Sequence, residues 1–114
     1  MTTASDIISK YQKSSEIAED IVSLGNDLSV DPMFVADLIY FESKFDPAAT
    51  NLAGSGATGL IQFMPSRAIA LGTTTEELAK MTAKEQMKYV KKYFSADNLG
   101  AGNLKKLRDN LLGS

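Results

Sequence analysis

Two Asp-Pro pairs, Asp31-Pro32 and Asp46-Pro47, bracket the segment that most constrains this chain. Asp before Pro is a strong helix start. The carboxylate can accept the first free backbone N–H groups, and proline at the first helical position gives up no hydrogen bond. A second proline downstream stops a helix, because it disfavours helical backbone at the residue before it. The bracket therefore predicts a helix reading Met33 through Lys44. At helical spacing, Val35, Leu38, Ile39, Glu42 and Phe45 fall near one stripe. Glu42 is the exception, a carboxylate where the pattern asks for a hydrophobe.

Removing a carboxylate from water disfavours its charged form and raises its pKa. Glu42 also sits in the last turn of the predicted helix, where the negative end of the dipole opposes ionisation. Both effects favour a protonated acid near neutral pH, which is what a general acid needs. A lone acid on a helix more often faces solvent or is neutralised by a Lys or Arg, so the pattern alone assigns no role.

The rest of the chain reads as helices joined by short loops. Helices are predicted over Thr3 to Tyr11 and over Ser15 to Leu28, the latter with an apolar stripe of Ile17, Ile21, Leu24 and Leu28. Pro65 opens another, running to about Leu71 and closed by Gly72. Thr74 starts a short helix to Met81, and Thr82-Ala83-Lys84-Glu85 is a capping box that opens a helix to about Phe94. Leu104 to Leu112 reads as a last helix. With 114 residues, this is the length of one domain with a modest core. The chain has no Cys and no His, which removes disulfides, thiolate and imidazole metal sites, and the His-dependent nucleophile schemes. No metal or cofactor is expected. Residues 1–60 carry 3 basic and 9 acidic side chains, whereas residues 61–114 carry 9 basic and 5 acidic. The basic part reads as a solvated helix face, and its sparse aromatics argue against a nucleic-acid reader. No signal peptide and no membrane-spanning segment is visible.

Ala48 to Gly59 has no helical period and must be a loop or small hairpin. Gly54-Ser55-Gly56-Ala57-Thr58-Gly59 satisfies G-x-G-x-x-G, the dinucleotide fingerprint. That motif works only between a strand and a helix of a parallel sheet. Here a helix precedes it and no βαβ pattern exists, so the match is rejected. The glycines instead let the backbone turn tightly and pass close to something bulky.

Taken together, Phe41-Glu42-Ser43-Lys44-Phe45-Asp46-Pro47 and Gly56-Ala57-Thr58-Gly59-Leu60-Ile61-Gln62-Phe63-Met64-Pro65-Ser66 resemble the catalytic region of soluble-type lytic transglycosylases. That family shares the lysozyme-like fold with goose-type lysozyme. Thr82 to Phe94 is similar to the following helix of phage-encoded members, so the resemblance covers about Asp31 to Phe94. It implies a mainly α, lysozyme-like domain over residues 1–114, with the glycine loop or hairpin beside the catalytic helix. Its substrate would be peptidoglycan glycan strands, cut between N-acetylmuramic acid and N-acetylglucosamine. The resemblance makes Glu42 the catalytic acid/base. Ser43 and Asn51 would position the sugar, Gly59 would allow close backbone approach, Gln62 and Met64 would line the cleft, and Phe63 would pack beneath it. Asp46 reads as a turn residue.

Ordinary glycosidases use two carboxylates, and this sequence offers one convincing candidate. The resemblance implies a one-acid route to a 1,6-anhydromuramic product. The alternatives are a goose-type muramidase that uses water and a non-catalytic peptidoglycan-binding or structural module. The family's cleft tyrosine has no counterpart: Ala96 to Gly102 echoes the stretch that carries it but has Asp97 in its place, and the domain looks shortened there. Tyr89 and Tyr93 are the candidate substitutes. The expected setting is a phage virion, or delivery to the bacterial cell wall or periplasm, as a monomer.

Overall fold

The computed structural model describes residues 1–51 and 53–95. Six helices account for most of them: α1 (Ala4–Tyr11), α2 (Ser15–Asp27), α3 (Pro32–Ser43), α4 (Pro65–Ala70), α5 (Thr75–Ala79) and α6 (Ala83–Ser95). No strand forms among the described residues; the only extended pairing there is two isolated bridges in the glycine loop. The architecture is mainly helical, as a lysozyme-like domain requires. With no strand ahead of Gly54, a dinucleotide reading of 54–59 has no structural basis. The predicted helix over 104–112 and the Ala96 to Gly102 stretch lie outside the described residues.

The chain forms two compact units, Met1–Leu38 with Phe94 and Ser95, and Ile39–Tyr93. In the first, α1 and α2 are capped by side chains the sequence supplies locally. Thr3 and Asp6 close a capping box, and the Ser14 hydroxyl accepts from the Ile17 N–H. Ile7, Ile17, Ile21, Leu24, Val35 and Leu38 are buried there, at about 1.5–3 kcal/mol for each large side chain. Gly25 lets α2 approach the start of α3, since a Cβ at that position would lie 2.8 Å from the Pro32 Cα. Asp31 caps α3, its Oδ1 accepting from the Met33 N–H at 3.0 Å and from the Thr2 hydroxyl.

The second unit holds Ile39, Phe45, Leu60, Phe63, Leu78, Met87 and Val90 in its core. α3 ends at Ser43, one residue before the predicted Lys44. Lys44 (φ 53°) and Phe45 (φ 64°) then adopt left-handed backbone, a conformation that costs about 1–2 kcal/mol per non-glycine residue. Phe45 is only 5 % exposed, so it joins the apolar stripe from a turn and not from the helix. Burial of its ring offsets that strain. Asp46 is a turn residue, its Oδ1 accepting from the Ala48 N–H at 2.9 Å. The glycine loop folds into a short paired arm, with antiparallel bridges from Thr50 to Thr58 and from Thr58 to Phe63. At the far side, Thr82 and Glu85 form the predicted capping box at the start of α6.

Candidate functional site

Glu42 lies in the last turn of α3, half-buried on the wall of an open cleft of about 390 Å³. That volume suits a small ligand or a short stretch of polymer. The end of α3 contributes Phe41, Glu42, Ser43 and Lys44; the glycine loop contributes Ala49, Thr50 and Asn51, and Gln62 completes the lining. Among the described residues, Glu42 is the one carboxylate in that lining. Partial removal from water pushes its carboxyl up from the ordinary value. No ion pair reaches it among the described residues. Glu42 is thus an acid with a raised proton affinity and an opening to solvent.

A larger cleft of about 670 Å³ is lined by Met1, Asn26, Ser29, Val30 and Asp31. Its one carboxylate, Asp31, is held by the α3 N-terminus and Thr2, and that engagement lowers its pKa. That carboxylate serves as a helix cap, so size does not make the cleft the site.

The other residues singled out by the resemblance divide between lining and support. Ser43 is buried, and its hydroxyl lies 2.8 Å from the Leu60 carbonyl and 3.1 Å from that of Ile39. Its hydrogen is therefore committed to the backbone. Asn51 is exposed in the cleft, and its Oδ1 accepts from the Ala53 N–H at 2.9 Å, leaving the amide N–H groups as its offer to a ligand. Gln62 lines the cleft from left-handed backbone (φ 56°). Its Nε2 donates to the Ala49 and Gly59 carbonyls at 3.0 and 3.1 Å. Both amide hydrogens are used, so toward the cleft Gln62 has only an acceptor. Gly59 is buried, and a Cβ there would lie 2.7 Å from the Gln86 Oε1. Its close approach is to this side chain. Phe63 is buried edge-to-face on Tyr93, with ring centroids 6.0 Å apart. Met64 is half-exposed at the N-terminus of α4 and is not among the cleft-lining residues.

Sequence reasoning missed two features. Phe41 is 61 % exposed and lines the cleft beside Glu42. Gln86 is fully buried and makes three hydrogen bonds, accepting from the Leu60 N–H at 2.9 Å and donating to the Pro47 and Leu78 carbonyls at 2.6 and 2.7 Å. The signal was available. Gln86 lies four residues before Val90 on the apolar side of α6, the same polar-in-the-stripe anomaly that marks Glu42. Neither tyrosine of α6 lines the cleft. Tyr93 packs on Phe63 and under Arg67, and Tyr89 lies beneath Lys88 and Lys92. Among the described residues, no cluster of three or more acidic, His or Cys side chains could hold a metal ion.

A helical, lysozyme-like domain with a single protonatable acid over an open cleft is the class this fold and site define. The chain belongs to the transglycosylase SLT domain family, whose model matches residues 21–110. That match extends the resemblance on both sides of the Asp31 to Phe94 stretch. Membership brings peptidoglycan-degrading transglycosylase activity as the general activity of the family. No curated protein and no solved structure matches the chain.

Proposed function

We propose that this protein cleaves the β-1,4 bond between N-acetylmuramic acid and N-acetylglucosamine without water, with Glu42 as the sole acid/base. The observation that carries this reading is the acid inventory of the cleft: one carboxylate among the described residues that line it, its proton affinity raised by burial. Of the other acids a hydrolase could enlist, Asp46, Glu76 and Glu77, none is among the residues that line the cleft. Asp46 accepts a backbone N–H in its turn, and Glu76 and Glu77 are exposed in the first turn of α5.

A single acid can serve both halves of the reaction when its pKa lies near the working pH. The protonated Glu42 gives its proton to the glycosidic oxygen as the bond from C1 breaks. The resulting carboxylate then takes the proton of the muramic C6 hydroxyl, whose oxygen closes on C1. The product is a 1,6-anhydro sugar, and Glu42 regains the proton it lost. No water enters. Gln62 accepts a hydrogen bond from the sugar, Asn51 donates one, and the Ser43 oxygen can accept another. Gly59 and Phe63 support the wall from within. Phe41 offers its face to a pyranose ring. A peptidoglycan substrate supports a setting at the bacterial cell wall, reached with a virion or by export from the host.

The test is mass spectrometry of the soluble products released from purified peptidoglycan by the wild type and by Glu42→Gln. Muropeptides lighter by one water, seen only with the wild type, support the reading. Fragments with an ordinary reducing end would make the protein a muramidase and require a second acid. Retention on peptidoglycan with no release would make it a binding module.

A further inference from the structure

We propose that Gln86 is a positioning residue for the reaction at Glu42, its buried amide fixing the two chain segments that form the cleft. The proposal rests on the reading of Glu42 as the acid/base. Gln86 cannot touch substrate, because it is fully buried and every hydrogen-bonding position of its amide that faces the backbone is filled. Its two N–H groups go to Pro47, on the turn after α3, and to Leu78 in α5; its oxygen takes the N–H of Leu60. The side chain therefore reaches from α6 to both the turn that follows the acid and the return arm of the glycine loop.

What those segments carry gives the staple its consequence. The Leu60 carbonyl accepts from Ser43, the neighbour of Glu42. The Gly59 carbonyl accepts from both the backbone N–H and the side-chain amide of Gln62, at 3.0 and 3.1 Å. Gly59 in turn donates to the Ala49 carbonyl at 2.8 Å, and that same carbonyl takes the second amide hydrogen of Gln62. A shift of the 59–60 peptide thus moves the anchor of Ser43 and the only free acceptor of Gln62 together. Gly59 has no side chain because the Gln86 amide occupies that space. Two glutamines bracket one peptide, Gln86 from the interior and Gln62 from the cleft.

An amide is the group this position calls for. It donates twice and accepts once, whereas an ionised carboxylate cannot donate and a thioether does neither strongly. The test uses the full chain with Gln86→Met and Gln86→Glu, assayed on soluble glycan strands at temperatures where circular dichroism shows each variant folded. Gln86→Met is expected to lower kcat by about 10-fold or more while KM stays within about 3-fold. The Glu42 carboxyl, followed by carbon-13 NMR, should titrate closer to its ordinary value as water enters the loosened cleft; Lys44, the other charged group in the lining, is unchanged in both proteins. Gln86→Glu should approach wild-type kcat in acid, where the introduced carboxyl can donate to one carbonyl, and fall away from it as pH rises. A lowered melting temperature with kcat per folded molecule and the Glu42 titration both unchanged would overturn the proposal and leave Gln86 a structural residue. Should Gln86→Met fail to fold, the pH-dependent ratio of Gln86→Glu to wild type decides. If the wild type itself cleaves nothing, the function fails, and the Glu42 titration still rules on Gln86.

Discussion

The two ends of α3 each hold an acid, and the two acids are opposites. Asp31 stands before the first turn, exposed, with the Met33 N–H and the Thr2 hydroxyl on its oxygen, and these hydrogen bonds lower its pKa. Glu42 stands in the last turn, half out of water, and burial raises its pKa. The same functional group on one helix binds its proton less tightly at one end and more tightly at the other. A carboxylate with donors pointed at it is favoured as an anion and builds structure; one that has lost water without gaining donors holds its proton to higher pH. The same contrast covers Asp6 and Glu85, both lowered by the capping hydrogen bonds they accept from Thr3 and Thr82.

The strongest way to break this comparison is Glu42→Gln. The amide keeps the shape and loses the proton, so release of anhydro products should fall by about 10²–10⁴-fold with the helical circular dichroism signal unchanged. A variant with wild-type turnover would mean that the raised proton affinity serves nothing. Next in size is Gly59→Ala, which attacks the support of the Glu42 end alone. The new methyl would meet the Gln86 amide at 2.7 Å on backbone held at φ 95°, and the urea midpoint should report a loss of about 1–3 kcal/mol. Gly72→Ala, also left-handed at φ 90° but with nothing within 4 Å, separates backbone strain from the clash and should lose less.

How much of this was legible in the sequence follows the same divide. Capped ends could be read directly, because a cap is a local event: Thr3, Asp31-Pro32, Thr82 and Glu85 announce helix starts through residues at most a few positions away. Glu42 could be flagged because an apolar stripe has a period. The glycine segment could be read only as a loop or small hairpin; its rungs from Thr50 through Thr58 to Phe63 could not be placed, since they depend on glycine conformations that no pattern specifies. The left-handed Lys44-Phe45 turn was hidden for a related reason: propensity disfavours it and only the burial of Phe45 sustains it. Ser43 and Gln62 were singled out as ligand contacts, but that the Ser43 hydrogen is spent on Leu60 and one of the Gln62 hydrogens on Ala49 is a long-range fact.

Asp31→Ala sharpens the comparison from the other end. Loss of a capping carboxylate should cost about 1 kcal/mol at neutral pH by urea unfolding. Because the Asp31 pKa is lowered in the folded protein, its contribution is present in full above the ordinary aspartate value and is lost as pH falls through the folded value. The gap between wild type and variant should therefore close in acid. A gap independent of pH would mean that Asp31 acts through packing and not through charge.

The smallest effect is the stability counterpart at Glu42, and its sign is reversed. A raised folded pKa means that, between the unfolded and folded values, the native state holds the proton more tightly than the unfolded chain does. Stability then falls as pH rises through that window, and at neutral pH the partly buried anion is a net cost. Glu42→Gln removes the charge, so it should raise the unfolding free energy slightly at neutral pH, by about 0.5 kcal/mol or less, and change nothing in acid where both side chains are neutral. Asp31→Ala and Glu42→Gln would thus diverge from wild type in opposite directions as pH increases. Parallel divergence would show that the end of α3 bearing Glu42 is stabilised by its charge, and an acid so held is a poor proton donor.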